Sequence, residues 1–364
     1  MIRRLYAHNY RCLENFELKL AGLRSALLVG GNGSGKSTIG RVLEVLQSVA
    51  RGKNRVRDLV DPLDFTAGKV APMRFELDVE LGGRTYRYVL ALELPRGFKE
   101  LRVLEERLGV DEDVLYQRDV AQVSLSRSGQ GARFAVDWHL VALPLIQPDA
   151  DDAPLAVFRN WLRGLLVLAP VPALMSGSTE GPTSELSRSC ANFGAVLAEL
   201  FAQHPPAWTP FDEQLKAMLP DVFGIATKPE LRVSFQRAAG EPTVEVPFRL
   251  LSDGERCFFL GAFVNTLRRY SESLFCFWDE PDAFLSLSEV GHFVNDLRYG
   301  FERAESGQLL VTSHREEAIR RFGEASTLVV HRANHLEPTQ ITPLSELKVT
   351  GGVISALVRG DLTG

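Results

Sequence analysis

The run Gly30-Gly31-Asn32-Gly33-Ser34-Gly35-Lys36-Ser37-Thr38 sets four glycines ahead of a lysine and two hydroxyls. Glycines let successive backbone N–H groups turn inward around an anion, and a helix starting after them adds the positive end of its dipole. With this spacing Lys36 would meet β- and γ-phosphates, and Ser37 would offer its hydroxyl to Mg²⁺. A second group of residues supplies what a phosphate cradle lacks. Asp279 and Glu280 follow the apolar run Phe275-Cys276-Phe277-Trp278, so a buried strand would carry them out at the end where α/β sheets bind ligands. There Asp279 would orient the metal through water, and Glu280 would polarise an attacking water as general base.

Two further motifs stand in the same order along the chain. Leu251-Ser252-Asp253-Gly254-Glu255 opens a helical pattern. Ser252 and the N–H of Gly254 could there present donors and a helix N-terminus to a γ-phosphate. Alone, such a pentapeptide is more often a plain helix cap; its place shortly before the acidic pair gives it the sharper reading. It would reach a nucleotide only on another molecule. His314, in Thr312-Ser313-His314, follows the apolar Leu309-Leu310-Val311 and would act as a polar clamp on the γ-phosphate and the water.

These residues need elements to hold them. Residues 2–8 and 13–20 read as strands, and Ser25 to Val29 is a short apolar strand running into the glycine loop. Ile39, Val42, Leu43, Leu46 and Val49 then recur at helical spacing. Phe75, Leu77, Val79 and Leu81 alternate up to Gly82-Gly83, and Tyr86, Tyr88, Leu90 and Leu92 alternate away from it, which predicts a hairpin in an antiparallel side layer. Residues 154–168 read as helix, 169–189 as the chain's best loop or mobile segment, and helices are expected around 193–201 and 211–218. A second hairpin, 231–235 with 244–248, leads back to a regular alternation: helix 254–270, strand 274–278, helix 288–304, strand 308–312, helix 315–322, strand 326–331. That alternation predicts a parallel sheet covered by helices.

Composition sets the outer limits. At 364 residues and 45% hydrophobic, the chain can bury one large core or two ordinary ones. Its net charge of −5 argues against a uniformly basic nucleic-acid binder while leaving room for a local basic patch. Cys12, Cys190, Cys257 and Cys276 lie far apart without a Cys-x-x-Cys pair, so neither a disulfide framework nor a zinc cluster is expected. A reducing, cytoplasmic setting fits. No apolar leader or membrane-length segment is legible.

The four motifs together resemble the ABC-ATPase class, and details are similar to its SMC/RecF-like branch. Asn9-Tyr10-Arg11-Cys12-Leu13-Glu14-Asn15-Phe16 resembles the N-terminal strand of those proteins. Leu-Ser-Asp-Gly around Asp253, Asp279-Glu280-Pro281-Asp282 and the separated central region resemble small ATPases related to the overcoming-lysogenization-defect proteins. The resemblance implies an α/β fold of ABC-type P-loop NTPase, with a mostly parallel core sheet, an antiparallel β side layer and a helical insert. It implies three blocks: 1–149 as the N-terminal ATPase part, 150–244 as the helical insert with its returning hairpin, and 245–364 as the C-terminal ATPase part. It also implies ATP and Mg²⁺ as cofactors and a homodimer with two composite sites. Each site would pair Gly30, Asn32, Gly33, Ser34, Gly35, Lys36, Ser37, Thr38, Asp279, Glu280 and His314 of one subunit with Ser252, Gly254 and Glu255 of the other, and Arg11 would lie on the α-phosphate side. Two departures matter: Leu285-Ser286-Leu287 replaces a common Leu-His-Pro, and no glutamine stands at an obvious Q-loop, Gln47 falling on the first helix.

Other signals lead elsewhere. His331 and His335 have i,i+4 spacing without a third ligand, which reads as a surface turn. Thr227-Lys228-Pro229-Glu230 resembles a guanine-reading motif only if glutamate replaces aspartate, so adenine is favoured. Arg51, Lys53, Arg55 and Arg57 form a basic run: a solvated face, or contacts to DNA or an acidic partner. The leading functional reading is an ATPase whose ATP-driven dimerisation switches a partner or effector, such as a nuclease or toxin, in anti-phage defence or DNA maintenance. Relatives that cut nucleic acid carry a TOPRIM nuclease after the ATPase; with 50 residues after His314, any nuclease is expected from a partner. The alternative is an ATP-gated DNA clamp or sensor in which hydrolysis only resets the dimer. A transporter motor fits worst, because 216 residues separate Lys36 from Ser252 and nothing between them suggests a surface for membrane helices. Residues 150–244 are the expected partner surface.

Overall fold

The computed structural model describes residues 1–66, 71–126, 131–304 and 306–347; residues 348–364 of the expected C-terminal block lie outside them. The chain divides into two compact units, Met1–Leu165 with Glu324–Gly364, and Leu166–Gly323.

The first unit contains an eight-stranded antiparallel sheet. In spatial order its strands are Phe16–Lys19, Ile2–His8, Met73–Leu81, Arg84–Glu93, Arg102–Val110, Asp113–Asp119, Gln122–Leu125 and Ala132–Ala135. The expected hairpin sits at its centre, Leu81 opposite Arg84. The two-residue turn between them needs positive φ at both positions, which Gly82 (φ 56°) and Gly83 (φ 76°) provide. One face is apolar and buried through Phe75, Leu77 and Val79. On the other, Arg4 bridges Glu17 (2.5 Å) and Glu76 (2.7 Å), and Arg74 bridges Glu76 (2.5 Å) and Glu105 (2.6 Å). Cross-strand pairs of this kind hold register where no core does. The four strands from Arg102 to Ala135 had no reading in the sequence, and strand 13–20 shortens to Phe16–Lys19. The cause is a tight turn: Tyr10 and Leu13 exchange backbone hydrogen bonds, and Asn9, Arg11 and Asn15 take positive φ.

Also in this unit, Ser25–Val29 is buried throughout and runs parallel to Thr327–His331, which pairs antiparallel with Gln340–Pro343. The helix Lys36–Ala50 follows the glycine loop and buries Ile39, Val42, Leu43, Leu46 and Val49. It packs beside the helix Pro154–Arg163, whose Phe158 lies 5.9 Å from the ring of Tyr86 and 5.6 Å from that of Tyr88. The helix expected over 154–168 ends early, at Arg163, with Gly164 as its cap.

In the second unit, Leu166–Leu168 is a strand, parallel to Phe275–Trp278 in the register Leu166 opposite Cys276. Three apolar side chains satisfy a fully buried strand as well as a helix turn, so periodicity could not separate the two. Phe275–Trp278 is also parallel to Gln308–Thr312, and the helices Asp253–Leu267, Leu287–Glu302 and Glu316–Phe322 accompany them. Asp253–Leu267 is buried at every position from Arg256 to Thr266, because aromatic side chains surround it. Phe259 meets Phe211 at 6.1 Å and Phe248 at 5.4 Å, while Phe263 meets Phe193 at 5.8 Å. Phe193 and Phe211 come from the two expected helices, Phe193–Gln203 and Trp208–Met218. The second hairpin forms, Arg232–Phe235 with Val244–Pro247, and gains a third strand, Val222–Ala226.

Candidate active site

The phosphate loop belongs to the first unit. Lys36 is 6% exposed and donates to the carbonyls of Gly30 (2.8 Å) and Gly31 (3.1 Å). Gly35 precedes the helix with φ 108° and no side-chain cap, so first-turn N–H groups remain for an anion. A Cβ at Gly35 would lie 2.6 Å from Thr339 Oγ1, and one at Gly30 would collide with the carbonyl oxygen of Val330. Ser34 is 5% exposed, and its hydroxyl has no hydrogen-bond partner among the described residues. Buried polar atoms are rarely left so; a glycine cradle with an unspent hydroxyl and an uncapped helix fits a phosphate chain.

The structure adds a partner to this loop that no sequence signal announced. The connection from Arg332 to Thr339 straps it: Arg332 donates to the carbonyls of Gly33 (3.1 Å) and Glu337 (2.9 Å), and Thr339 Oγ1 donates to Ser34 O at 2.8 Å. A cleft of about 490 Å³ lies between Gly30–Ser34 and Val329–His335. His335 borders it, while His331 pairs with Gln340 at 3.1 Å. Among the described residues no group of three or more His, Cys, Asp or Glu is placed to hold a metal. Arg11 is bound by Asp64 (2.8 Å) and lies over the ring of Tyr10. Its neighbour Cys12 reaches Thr38 Oγ1 at 3.6 Å, and the Cys12 carbonyl accepts from Thr339 N at 2.9 Å. Gln47 is buried, its amide spent on the carbonyl of Leu165. In the basic run, Lys53, Arg55 and Arg57 are exposed.

The acidic pair belongs to the second unit. Asp279 N donates to Leu168 O at 2.7 Å, so the strand that periodicity missed anchors the residue. Thr312 Oγ1 donates to Asp279 Oδ1 (2.8 Å) and accepts from Glu280 N (2.9 Å), bridging the two positions. Arg188 approaches Asp279 Oδ2 at 3.6 Å. Glu280 has φ 51°, a left-handed conformation costly for a non-glycine residue and characteristic of functional sites. Its carboxylate lies 2.9 Å from His314 Nε2. The structure therefore unites Asp279, Glu280 and His314, and adds Thr312 and Arg188. Asp282 is buried and accepts from Ser313 Oγ at 2.5 Å; burial pushes its carboxyl up from the usual range.

Segment 169–189 carries one short helical turn, Pro172–Leu174, and is otherwise irregular, yet it is well tied. Ala169 N donates to Arg188 O (2.8 Å) and Val171 N to Ser189 O (3.0 Å). Arg256 donates to the carbonyls of Pro172 and Arg249. Ser252 caps the helix Asp253–Leu267 reciprocally: its Oγ accepts from Glu255 N (3.3 Å) and its N donates to Glu255 Oε2 (2.6 Å). Glu255 thus shapes the turn through its own carboxylate. A Cβ at Gly254 would sit 3.1 Å from Phe284 O. Leu250, next to the motif in sequence, and Phe284, next to it in space, are exposed. Three of the cysteines, Cys190, Cys257 and Cys276, are buried and unbridged, and burial pushes the Cys257 thiol up to about 12.

Residues 25–146 match a family model described as "AAA domain, putative AbiEii toxin, Type IV TA system". No curated protein matches the sequence. Among solved structures, the chain is similar to an SMC head bound to the C-winged helix domain of ScpA. The identity is 14%, covering 95% of this chain and 98% of that one, with a TM-score of 0.56. It is also similar to the SMC head domain with an extended coiled coil bound to the C-terminal domain of ScpA, from Pyrococcus furiosus. There the identity is 14%, with 95% and 97% covered and a TM-score of 0.51. Among the described residues no helix is long and apolar enough to cross a membrane. The fold is an α/β fold of the P-loop type, like that of SMC heads, with mostly parallel strands, an antiparallel sheet and covering helices.

Proposed function

We propose that this protein binds and hydrolyses ATP with Mg²⁺, dimerises on the nucleotide and thereby switches a partner complex. The observation that carries the reading is the phosphate loop: Gly30 and Gly35, where a Cβ would collide with its surroundings, an uncapped helix N-terminus, and the unpartnered Ser34 hydroxyl. Lys36 exchanges the carbonyls of Gly30 and Gly31 for phosphate oxygens. Ser37 and Asp279 are the residues that would hold the metal, which would supply positive charge against the phosphates. Glu280 takes the proton of the attacking water, and His314, 2.9 Å from its carboxylate, orients that pair. Thr312 keeps Asp279 and Glu280 in register through one hydroxyl.

Dimerisation uses the Ser252–Gly254 turn of a second copy, whose helix N-terminus faces the γ-phosphate. Exposed Leu250 and Phe284 beside that turn provide apolar surface for the closed state. The defence role, with a toxin or nuclease as effector, rests on the motifs and on the description of the matching family model; the kinship to overcoming-lysogenization-defect ATPases rests on the motifs alone. The partner surface is assigned to residues 150–244 because that block carries none of the nucleotide motifs and is free to vary in what it binds.

Glu280→Gln tests the reading. Turnover should fall by about 100-fold or more, while a dimer accumulates with ATP and is seen by light scattering. Unchanged turnover would remove Glu280 as the base. Downstream activity that survives in the trapped dimer would favour the DNA clamp, in which hydrolysis only resets the complex.

A further inference from the structure

Within the second unit, the helices Trp208–Met218, Asp253–Leu267 and Leu287–Glu302 enclose a cleft of about 510 Å³. Its floor is polar and deep. Asn265 is 4% exposed, yet its side-chain oxygen has no hydrogen-bond partner among the described residues. The side-chain oxygen of Gln214 and Nε of Arg268 line the same cleft and are likewise buried and unpartnered. Two acceptors and one charged donor thus converge on one space, against the general rule that buried polar groups are satisfied. Gly300 lets the Asn265 oxygen and Nε of Arg268 approach the helix Leu287–Glu302 closely, since a Cβ there would run into the Asn265 oxygen. Arg269 and Arg303 stand at the rim, and Glu213 and Asp296 also line the cleft, so three guanidinium groups face two carboxylates. Burial, and then the charge of Arg269, hold the Arg268 guanidinium below the usual arginine range, so an anion beside it would relieve both strains. None of these residues belongs to the nucleotide motifs.

The donor and acceptor pattern narrows the occupant. Adjacent guanidinium groups call for a phosphate. The two unpartnered carboxamide oxygens call for N–H or O–H groups on the same molecule, which a bare inorganic anion supplies poorly. The volume suits a small metabolite. We propose that this cleft is a second ligand site, taking a phosphorylated, hydroxyl-bearing small molecule, either a sugar phosphate or a nucleoside monophosphate. Its phosphate lies against Arg268 and Arg269 and its hydroxyls on Asn265 and Gln214. Asn265 sits near the C-terminal end of the helix that Ser252 caps, about 20 Å along the axis from that turn, so occupancy bears on the element that presents the turn.

The test is calorimetric titration of the full chain with ribose 5-phosphate, AMP and inorganic phosphate, its phosphate loop first saturated with a slowly hydrolysed ATP analogue and Mg²⁺. One of the two esters should bind, more tightly than inorganic phosphate. A tighter AMP identifies a nucleotide, and equal affinities identify the sugar phosphate. Arg269→Glu, an exposed change, should weaken binding by about tenfold or more, and Arg303→Glu, exposed at the same rim, should do the same. Lys36→Ala should leave ester binding intact, which separates this site from the nucleotide reading. Absence of binding by either ester, binding of inorganic phosphate alone, or affinities untouched by both Arg269→Glu and Arg303→Glu would overturn the proposal.

Discussion

The phosphate loop and the acidic strand end are held in place by opposite means. Around Gly30–Lys36 the backbone does the work: positive φ, carbonyls against Lys36, and a strap from Arg332 to Thr339 that leaves no room for a Cβ at Gly35. Around Asp279 and Glu280 side chains do it: Thr312 bridges the pair, Arg188 faces one carboxylate and His314 the other. The first arrangement is broken by bulk and the second by removing a hydrogen bond or a charge. That contrast ranks the expected effects of substitution.

The largest is expected at Gly35. Gly35→Val places side-chain atoms against Thr339 Oγ1 at a φ of 108°, and nucleotide affinity measured by fluorescence titration should fall by about 100-fold or more. Adding Thr339→Ala should recover little, because the backbone conformation still excludes a β-branched residue; full recovery would mean that the strap alone sets the requirement. Thr312→Val retains the shape of the acidic end and deletes its bridging hydroxyl. Turnover should drop by about 10- to 100-fold with nucleotide affinity nearly unchanged.

A smaller effect separates charge from geometry at Arg188. If Asp279 holds the metal as proposed, the guanidinium 3.6 Å from its Oδ2 would compete with a divalent cation for the same carboxylate. Arg188→Ala should therefore lower the Mg²⁺ concentration that half-saturates analogue binding, by about tenfold or less, with Arg188→Lys intermediate. An unchanged Mg²⁺ requirement would assign Arg188 to holding segment 169–189 alone. The smallest effect is expected at Asp282. Burial raises its carboxyl pKa in the folded protein, so its contribution to stability is complete below the unfolded value and is lost as pH rises through the folded one. Asp282→Asn retains an acceptor for Ser313 and removes that loss, and its melting temperature should gain on the parent from pH 4 to pH 8. A gap independent of pH would show that the Ser313 contact, not burial, governs the residue.

Local chemistry was legible along the chain. The glycine loop, the apolar strand before the acidic pair, the Ser252 cap and the Gly82-Gly83 hairpin each follow from residues within a few positions of one another, where φ preference, periodicity and capping act. They were enough to state the fold class and to name the residues at which nucleotide chemistry is proposed. What they could not supply was every contact made across long sequence separation. Leu166–Leu168 is a strand because Phe275–Trp278 pairs with it, and Glu255 is a capping carboxylate because Ser252 N points back to it. Ser34 meets Thr339 some three hundred residues away, and Arg188 meets Asp279 from within an irregular segment. The order of residues determined which groups are proposed to hold a triphosphate and activate water; tertiary packing alone decided which neighbours restrain them, because hydrogen bonds between distant segments leave no periodic trace in the sequence.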